Sequence, residues 1–137
     1  MSEDCIFCGI VAGDIPSTDL YEDDQVLAFL DVNPVAEGHA LVIPKAHHER
    51  VTDFDTETTA AVFDAARQIA RALDASLEPD GFNLFQSNGE AAGQEVFHAH
   101  VHVVPRHEDD EIRFDFPRAD LDEETASRVQ SAVQAEL

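Results

Sequence analysis

Positive charge is what this sequence lacks most. One lysine, Lys45, and seven arginines face 29 aspartates and glutamates, which gives a formal net charge of −21. A protein that coats nucleic acid needs a basic patch to bind the phosphate backbone. The composition therefore argues against that class of protein, and we predict no nucleic-acid partner.

Long apolar runs are also missing. No stretch approaches the roughly 20 apolar residues that a membrane-spanning helix needs. The first residues, MSEDCIFC, lack the basic and apolar regions of a signal peptide. We therefore expect a cytoplasmic protein with no membrane partner.

The acidic surplus has a physical consequence of its own. Area scaling predicts about 7,000 Å² of surface for a folded chain of this mass, or roughly one net negative charge per 330 Å². Such a surface repels itself at ordinary salt, whereas at molar salt the Debye length falls to about 3 Å and screens the repulsion. An ordinary acidic protein with a solvated surface is the alternative, but the size of the surplus favours a halophilic host.

The chain of 137 residues fits a single domain, with a core over 5–107 and a C-terminal extension over 108–137. Apolar residues recur near a 3.6-residue period over 55–77 and predict one long helix, and a weaker pattern predicts a C-terminal helix over 121–137. Short apolar stretches predict strands over 25–31, 39–43, 82–88 and 95–105. These elements indicate an α+β domain built on an antiparallel sheet.

Residues 98–104 read HAHVHVV and place three of the seven histidines within five positions. Successive side chains of a strand point to opposite faces, so His98, His100 and His102 should share one face. Three interpretations remain open on spacing alone. The face is simply solvated, or it binds zinc, or one imidazole attacks a phosphate while its neighbours donate hydrogen bonds.

The segment just before this run favours the phosphate interpretation. Residues 88–94 read NGEAAGQ, and their two glycines allow backbone N–H groups to turn toward an anion. Asn88 and Gln94 add neutral amide donors. Neutral donors suit phosphate binding in a strongly acidic protein.

These residues carry a resemblance to the histidine triad family of small nucleotide hydrolases and transferases, whose motif is His-φ-His-φ-His-φ-φ with φ apolar. HAHVHVV matches that motif, and similar stretches are CIFCGIVAGDIP at 5–16, YEDDQVLAFLDVNPVAEGHALVIPKAH at 21–47 and FQSNGEAAGQEVFH at 85–98. The resemblance covers residues 5–107, and it implies an α+β fold with a five-stranded antiparallel sheet, one long helix and a C-terminal helix.

The resemblance implies a mechanism and an assembly. His100, the middle histidine, would attack the α-phosphate of a purine nucleotide and form a nucleotidyl-histidine that water hydrolyses. His98 and His102 would orient it and contact phosphate oxygens, and His39 matches a fourth family histidine. Family members are usually homodimers, so we expect one here.

The resemblance also implies a nucleotide site. Asp31 would accept hydrogen bonds from the ribose hydroxyls, and Asn88 and Gln94 match positions beside the phosphate. An apolar slot for the base would be lined by Phe7, Ile10, Phe29, Val32 and Leu41. Glu95 departs from the pattern, because many relatives carry Ser or Thr there to help protonate the leaving group.

Cys5 and Cys8 are the only cysteines and form a C-x-x-C pair. From the residues alone, the pair is a redox couple, two unrelated buried cysteines, or half of a tetrahedral zinc site whose further ligands come from His47, His48 and His98. The resemblance to zinc-carrying bacterial and archaeal relatives implies the set Cys5, Cys8, His47 and His98. Four protein ligands would make such a zinc ion structural.

The sequence therefore predicts a nucleotide hydrolase or transferase that cleaves at the α-phosphate of nucleoside phosphoramidates or dinucleoside polyphosphates, with no catalytic cofactor. Two alternatives remain. One is a zinc-dependent hydrolase that uses the three triad histidines as metal ligands, and the other is a non-catalytic nucleotide-binding protein.

Overall fold

The structure is a computed structural model that describes residues 4–137. Five antiparallel strands form one sheet in the order β1-β2-β3-β5-β4. The strands are β1 (Asp19–Glu22), β2 (Val26–Leu30), β3 (Ala40–Pro44), β4 (Gly81–Phe85) and β5 (Val101–Arg106). The helices are α1 (Ile6–Val11), α2 (Thr56–Leu77) and α3 (Glu123–Glu136), with single 3₁₀ turns at Val51–Asp53 and Glu90–Ala92. The predicted α+β class and five-stranded antiparallel sheet are confirmed.

Two predicted strands are shorter than the sequence suggested. β5 begins at Val101 and not at residue 95, so His98 and His100 lie in irregular chain just before the strand. β4 ends at Phe85 and not at residue 88. In both cases the predicted strand residues belong to the irregular loop of residues 86–100. The glycines of this loop and its contacts with other segments determine its conformation, and apolar content does not reveal either.

Two elements, β1 and α1, were not predicted individually from the sequence. β1 is exposed at all four positions, so it shows no alternation of buried and exposed residues. α1 has only six residues, which is too short for a helical period to stand out.

Helix α2 covers one face of the sheet. Asp55 caps its N-terminus, accepting a hydrogen bond from the Thr58 N–H at 2.7 Å. The apolar stripe of α2 meets the inward side chains of three strands. The buried members of this core are Val26, Ala28, Ala40, Val42, Val62, Ala65, Ala66, Ile69, Ala70, Val101 and Val103.

The other face of the sheet is covered by α1 and carries a second, smaller core of Phe7, Leu27, Phe29, Leu41 and Ile43. Strands β2 and β3 are thus buried on both faces, which is why they read as unbroken apolar runs. The candidate site lies on this second face, beside α1.

The C-terminal segment is held to the sheet near Arg106, where the Phe114 ring also meets Phe85 of β4 edge to face with centroids 5.7 Å apart. The Arg106 guanidinium donates to the Asp110 carboxylate at 2.8 and 2.9 Å, to Asn83 Oδ1 at 2.8 Å and to the Ile112 carbonyl at 2.9 Å. Beyond it, α3 has no buried residue in the part of the chain that the structure describes. Across residues 4–137, no helix is long and apolar enough to cross a membrane.

Candidate active site

A cavity of about 450 Å³ opens between α1, the start of β5 and the loop that follows β2. Phe7 of α1 meets Phe29 edge to face, with ring centroids 5.5 Å apart, and meets the His100 ring in the same way at 5.1 Å. The apolar wall therefore touches the central histidine directly. The lining residues are Ile6, Phe7, Ile10, Ile15, Pro16, Ser17, Phe29, Leu30, Asp31, Val32, Asn33, Leu41, Gly93, Glu95, Val96, His100 and His102.

The hydrogen bonds of His100 define its protonation. Its Nδ1 lies 2.7 Å from the carbonyl oxygen of His98. A carbonyl only accepts, so Nδ1 carries the proton and donates it, which leaves the lone pair on Nε2. Burial lowers the pKa of His100, so the ring is neutral at pH 7. A neutral imidazole that lines a cavity and has a free lone pair on Nε2 can act as a nucleophile.

A second pair of histidines lies beside His100. His39 Nε2 is 2.9 Å from His102 Nδ1 and 3.5 Å from an Asp31 carboxylate oxygen. The His102 ring stacks on the Phe85 ring, with centroids 4.1 Å apart and an interplanar angle of 10°. Burial lowers the pKa of His102 to about 4 and also lowers that of His39, although Asp31 partly opposes the second shift.

A glycine places His39 at the start of β3. Gly38 has φ +89°, and a Cβ there would lie 2.6 Å from a methyl carbon of Leu77 and 3.2 Å from Pro105. Any side chain would therefore both strain the backbone and clash with the end of α2. This close approach fixes the turn that delivers His39 to His102.

The loop before the histidines is braced from within. Gly89 and Gly93 have φ of +90° and +96°. Buried Gln94 accepts from the Gly89 N–H at 2.7 Å and donates to the Glu49 and Val96 carbonyls at 2.6 and 3.1 Å. Asn88 Oδ1 accepts from the Val51 N–H at 2.8 Å, and its amide also pairs with Gln86. Both amides, expected beside the phosphate, are placed in hydrogen bonds that shape the loop.

Cys5, Cys8, His47 and His98 converge behind the cavity. One donor atom from each lies within 4.8 Å of the others. Cys5 Sγ is 3.4 Å from His98 Nδ1, and Cys8 Sγ is 3.3 Å from His47 Nδ1. Burial raises the pKa of the Cys5 thiol, which disfavours a bare thiolate at this place.

The donor chemistry of this cluster suits zinc. His98 Nε2 donates to the Pro44 carbonyl at 2.7 Å, so Nδ1 has the lone pair and faces the sulfurs. Burial lowers the pKa of His98 to about 4, which keeps that lone pair free of protons at pH 7. Two sulfurs and two imidazole nitrogens form a typical tetrahedral zinc set.

Apart from Asn88 and Gln94, which form hydrogen bonds within and beside their loop, the predicted site residues divide into three groups. Asp31, Phe7, Ile10, Phe29, Val32 and Leu41 line the cavity together with His100 and His102. His98 joins the cysteine cluster, and His39 stands behind His102. Within residues 4–137, the three triad histidines do not converge as one ligand set, which argues against the zinc-dependent hydrolase.

Sequence reasoning missed several lining residues, among them Ile6, Ile15, Ser17 and Asn33. The stretch at 5–16, which carries part of the resemblance, could have pointed to the first two. Ser17 and Asn33 carry no signal of their own, because each is a common loop residue.

Comparison with known proteins places these features in context. The HIT domain family model matches residues 12–109. Protein hit of Bacillus subtilis is 54% identical over 106 residues, which cover 77% of this chain and 73% of that protein. Adenylylsulfatase HINT3 of Arabidopsis thaliana is 42% identical over 110 residues, which cover 80% of this chain and 56% of that protein.

Solved structures agree in fold. A Zn-bound histidine triad family protein from Mycobacterium smegmatis is 43% identical with a TM-score of 0.76, covering 97% of this chain and 94% of its own. A histidine triad nucleotide-binding protein from Candida albicans is 29% identical with a TM-score of 0.88, covering 97% and 96%. The chain belongs to the HIT family, and its cysteine and histidine cluster fits the zinc-carrying branch.

Proposed function

We propose that this protein is a nucleotide hydrolase that cleaves at the α-phosphate through a covalent intermediate on His100. Membership of the HIT family supports a nucleotide-binding or nucleotide-hydrolysing role. The observation that carries the finer proposal is the 2.7 Å bond from His100 Nδ1 to the His98 carbonyl in a ring that lines the cavity. It leaves an unprotonated Nε2 where a phosphate can approach.

The reaction has two displacements. His100 Nε2 attacks phosphorus, the bond from phosphorus to the leaving group breaks, and the leaving group departs with a proton taken from solvent. Water then attacks the same phosphorus and returns a proton to solvent, the P–N bond to His100 breaks, and a nucleoside monophosphate and a neutral His100 are released. Splitting one displacement into two lowers the barrier of each, and the His98 carbonyl holds the ring in one orientation throughout.

The cavity supports a purine nucleoside as the bound portion. Phe7, Phe29 and Leu41 offer an apolar surface for a base, and the Asp31 carboxylate lines the same cavity. Its Oδ1 accepts from the Asn33 N–H at 2.9 Å, which fixes the carboxylate for hydrogen bonds from ribose hydroxyls. Nucleoside phosphoramidates and dinucleoside polyphosphates share this part and differ in the leaving group.

We propose a structural role for zinc at Cys5, Cys8, His47 and His98. A bound zinc ion would supply four bonds that tie α1 to the chain before β5, and four protein ligands leave no position for a reactive water. His98 links this cluster to the chemistry, because its ring faces the cysteines while its carbonyl holds His100. The proposed role is thus to keep the nucleophile in place.

We propose that the protein is a homodimer that joins through the free edge of β4. Phe82 and Leu84 are 45% and 41% exposed, and β4 carries no charged residue. The opposite edge, β1, contains Asp19 and Glu22 and a register shift, and charges and irregularities of this kind discourage pairing. An open, uncharged edge favours association.

The deciding experiment compares wild type with His100→Gly. Wild type, mixed with an adenosine phosphoramidate that has a fluorescent amine leaving group and quenched in seconds, should yield an acid-labile adenylyl adduct by mass spectrometry. His100→Gly should bind adenosine monophosphate within a few-fold of wild type but lose at least 10³-fold in turnover.

His107→Ala serves as the control, because the His107 side chain is 45% exposed, directly follows β5 and does not line the cavity. It should turn over at the wild-type rate. An active His100→Gly variant would overturn the proposal, and tight nucleotide binding without any turnover by wild type would establish the non-catalytic alternative.

A further inference from the structure

The loop between β2 and β3 places one backbone group against the second histidine pair. The N–H of Val35 donates to His39 Nδ1 at 3.2 Å. The Val35 side chain is 55% exposed and lies outside the cavity wall. This contact therefore involves the backbone of Val35 and not its side chain.

The Val35 N–H determines where His39 carries its proton. A backbone N–H only donates, so Nδ1 of His39 must present its lone pair. A neutral imidazole has one proton, which is then on Nε2. In the doubly protonated ring, the Nδ1–H of His39 would face the N–H of Val35 at an N–N distance of 3.2 Å, which is repulsive. Burial also lowers the pKa of His39. The neutral form with its proton on Nε2 is therefore the stable one.

The proton on His39 determines in turn where His102 carries its own. His39 Nε2–H lies 2.9 Å from His102 Nδ1 and 3.5 Å from Asp31, so the shorter bond goes to His102, whose Nδ1 accepts. His102 is neutral as well, so its single proton is on Nε2. Its ring lines the cavity, with Phe85 stacked on it and the His100 ring 4.9 Å away.

We propose that the backbone N–H of Val35 is a positioning group that acts through His39 to make His102 a hydrogen-bond donor toward the bound phosphate. The inference rests on the proposed function and deepens it. With the opposite tautomer, His102 would turn a lone pair toward an anion and would lose its ability to stabilise the charge that develops during the displacement. The Val35 N–H, His39 and His102 are all neutral, and together they give the phosphate a hydrogen-bond donor without placing a cation in the site.

This proton pattern also explains why a neighbouring cluster is a poor metal site. Asp31, His39 and His102 each offer a donor atom within 4.8 Å of the others. A metal would need the lone pair of His39 at Nε2, which would move its proton to Nδ1 and set it against the Val35 N–H. We therefore expect one zinc ion per chain, at the cysteine cluster.

The direct test is the tautomer of His102 in wild-type protein loaded with zinc. Long-range ¹H–¹⁵N correlation spectra at pH 7.5 should show His102 with Nε2 protonated and Nδ1 unprotonated, and His39 with the same pattern. A protonated Nδ1 on His102 overturns the proposal. This measurement needs no turnover, so it stands or falls separately from the hydrolase activity.

Variants then test whether the bond matters for the reaction. Val35→Pro removes the N–H, and Val35→Ala keeps it. The proline variant should show a kcat at least tenfold below that of the alanine variant, with KM within about threefold, and a mixed His102 tautomer. Equal kcat values in the two variants overturn the proposal.

A second pair keeps the test decisive if Val35→Pro does not fold. His39→Gln retains an N–H donor near the position of Nε2, whereas His39→Leu has none. The glutamine variant should exceed the leucine variant at least fivefold in kcat, and equal values overturn the proposal.

Discussion

At the scale of single residues, the histidines of the site differ in their roles because their hydrogen-bond partners differ. His98 donates from Nε2 to a carbonyl and turns Nδ1 to the cysteines, while His100 donates from Nδ1 to a carbonyl and keeps Nε2 free. His102 accepts a hydrogen bond at Nδ1 from the Nε2–H of His39. Burial lowers the pKa of all four rings, so each is neutral at pH 7 and its one proton has one defined place.

Glu95 is the residue most suited to select among leaving groups. It is exposed, and it lines the cavity with Gly93 and His100. Its carboxylate should repel the extra phosphates of a dinucleoside polyphosphate more than a neutral amine. We expect Glu95→Gln to raise kcat/KM for diadenosine polyphosphates about five- to tenfold at low salt, which corresponds to about 1 kcal/mol, with a smaller change for phosphoramidates.

The control for this prediction is Glu49→Gln, an exposed carboxylate that does not line the nucleotide cavity. It should leave the ratio of the two activities unchanged. An equal loss on both substrates by Glu95→Gln would contradict electrostatic selection and would indicate that Glu95 takes part in the displacement itself.

At the scale of elements, a short helix depends on a distant segment. α1 has six residues, too few to be stable alone, and it buries Phe7 and Cys8 against the sheet. Its capping residue, Cys5, accepts from the Cys8 N–H at 3.3 Å and lies beside His98, 93 positions later. A bound zinc ion would therefore stabilise the helix, one wall of the cavity and the chain that carries His100 together.

Removing the metal should lower the stability of the fold more than it lowers the rate of turnover. We expect Cys8→Ser to lose bound zinc and to lower the midpoint of thermal unfolding by about 10 °C or more, because a structural zinc site contributes several kcal/mol to folding. Turnover at 20 °C should fall far less than in His100→Gly. Metal analysis, calorimetry and the phosphoramidate assay measure the three quantities.

Chelation of wild type provides the matching control. A chelator should lower its unfolding temperature, zinc should restore it, and Cys8→Ser should respond to neither. Immediate loss of turnover at an unchanged unfolding temperature would instead identify a catalytic metal.

At the scale of the whole molecule, surface and charge are both in excess. The chain exposes 9,423 Å², more than the about 7,000 Å² expected for its mass, because the C-terminal segment packs against little of its own chain. Val129 and Val133 of α3 are 45% and 49% exposed, and Phe116 before it is 73% exposed. Exposed apolar surface of this kind is consistent with the proposed dimer.

The dimer proposal has a matched pair of variants, one on each edge strand. Leu84 of β4 is 41% exposed and Leu20 of β1 is 42% exposed. Light scattering should show a dimer for wild type and Leu20→Asp, and a monomer or a much weaker dimer for Leu84→Asp. A monomeric wild type, or dissociation by Leu20→Asp alone, would contradict association through β4.

The net charge of −21 predicts a strong response to salt. Raising KCl from 0.1 to 2 M should increase the thermal unfolding midpoint by about 10 °C or more, because screening removes repulsion among surface carboxylates. Sucrose of equal osmolality should give a smaller increase. A midpoint that is flat or falls with KCl would contradict the halophilic interpretation.

The sequence by itself determined the α+β fold and the long helix from Thr56 to Leu77, because apolar periodicity survives in a linear reading. Its resemblance to the histidine triad family predicted many of the residues that line the cavity, among them Phe7, Asp31 and His100. The sequence did not determine that β5 starts only at Val101, that Gln94 braces its own loop, or that the Val35 N–H faces His39. Those features depend on backbone groups and on contacts between distant segments. A hydrogen bond has a direction that only the folded chain defines, so the tertiary structure alone decided which nitrogen of each histidine is free to react.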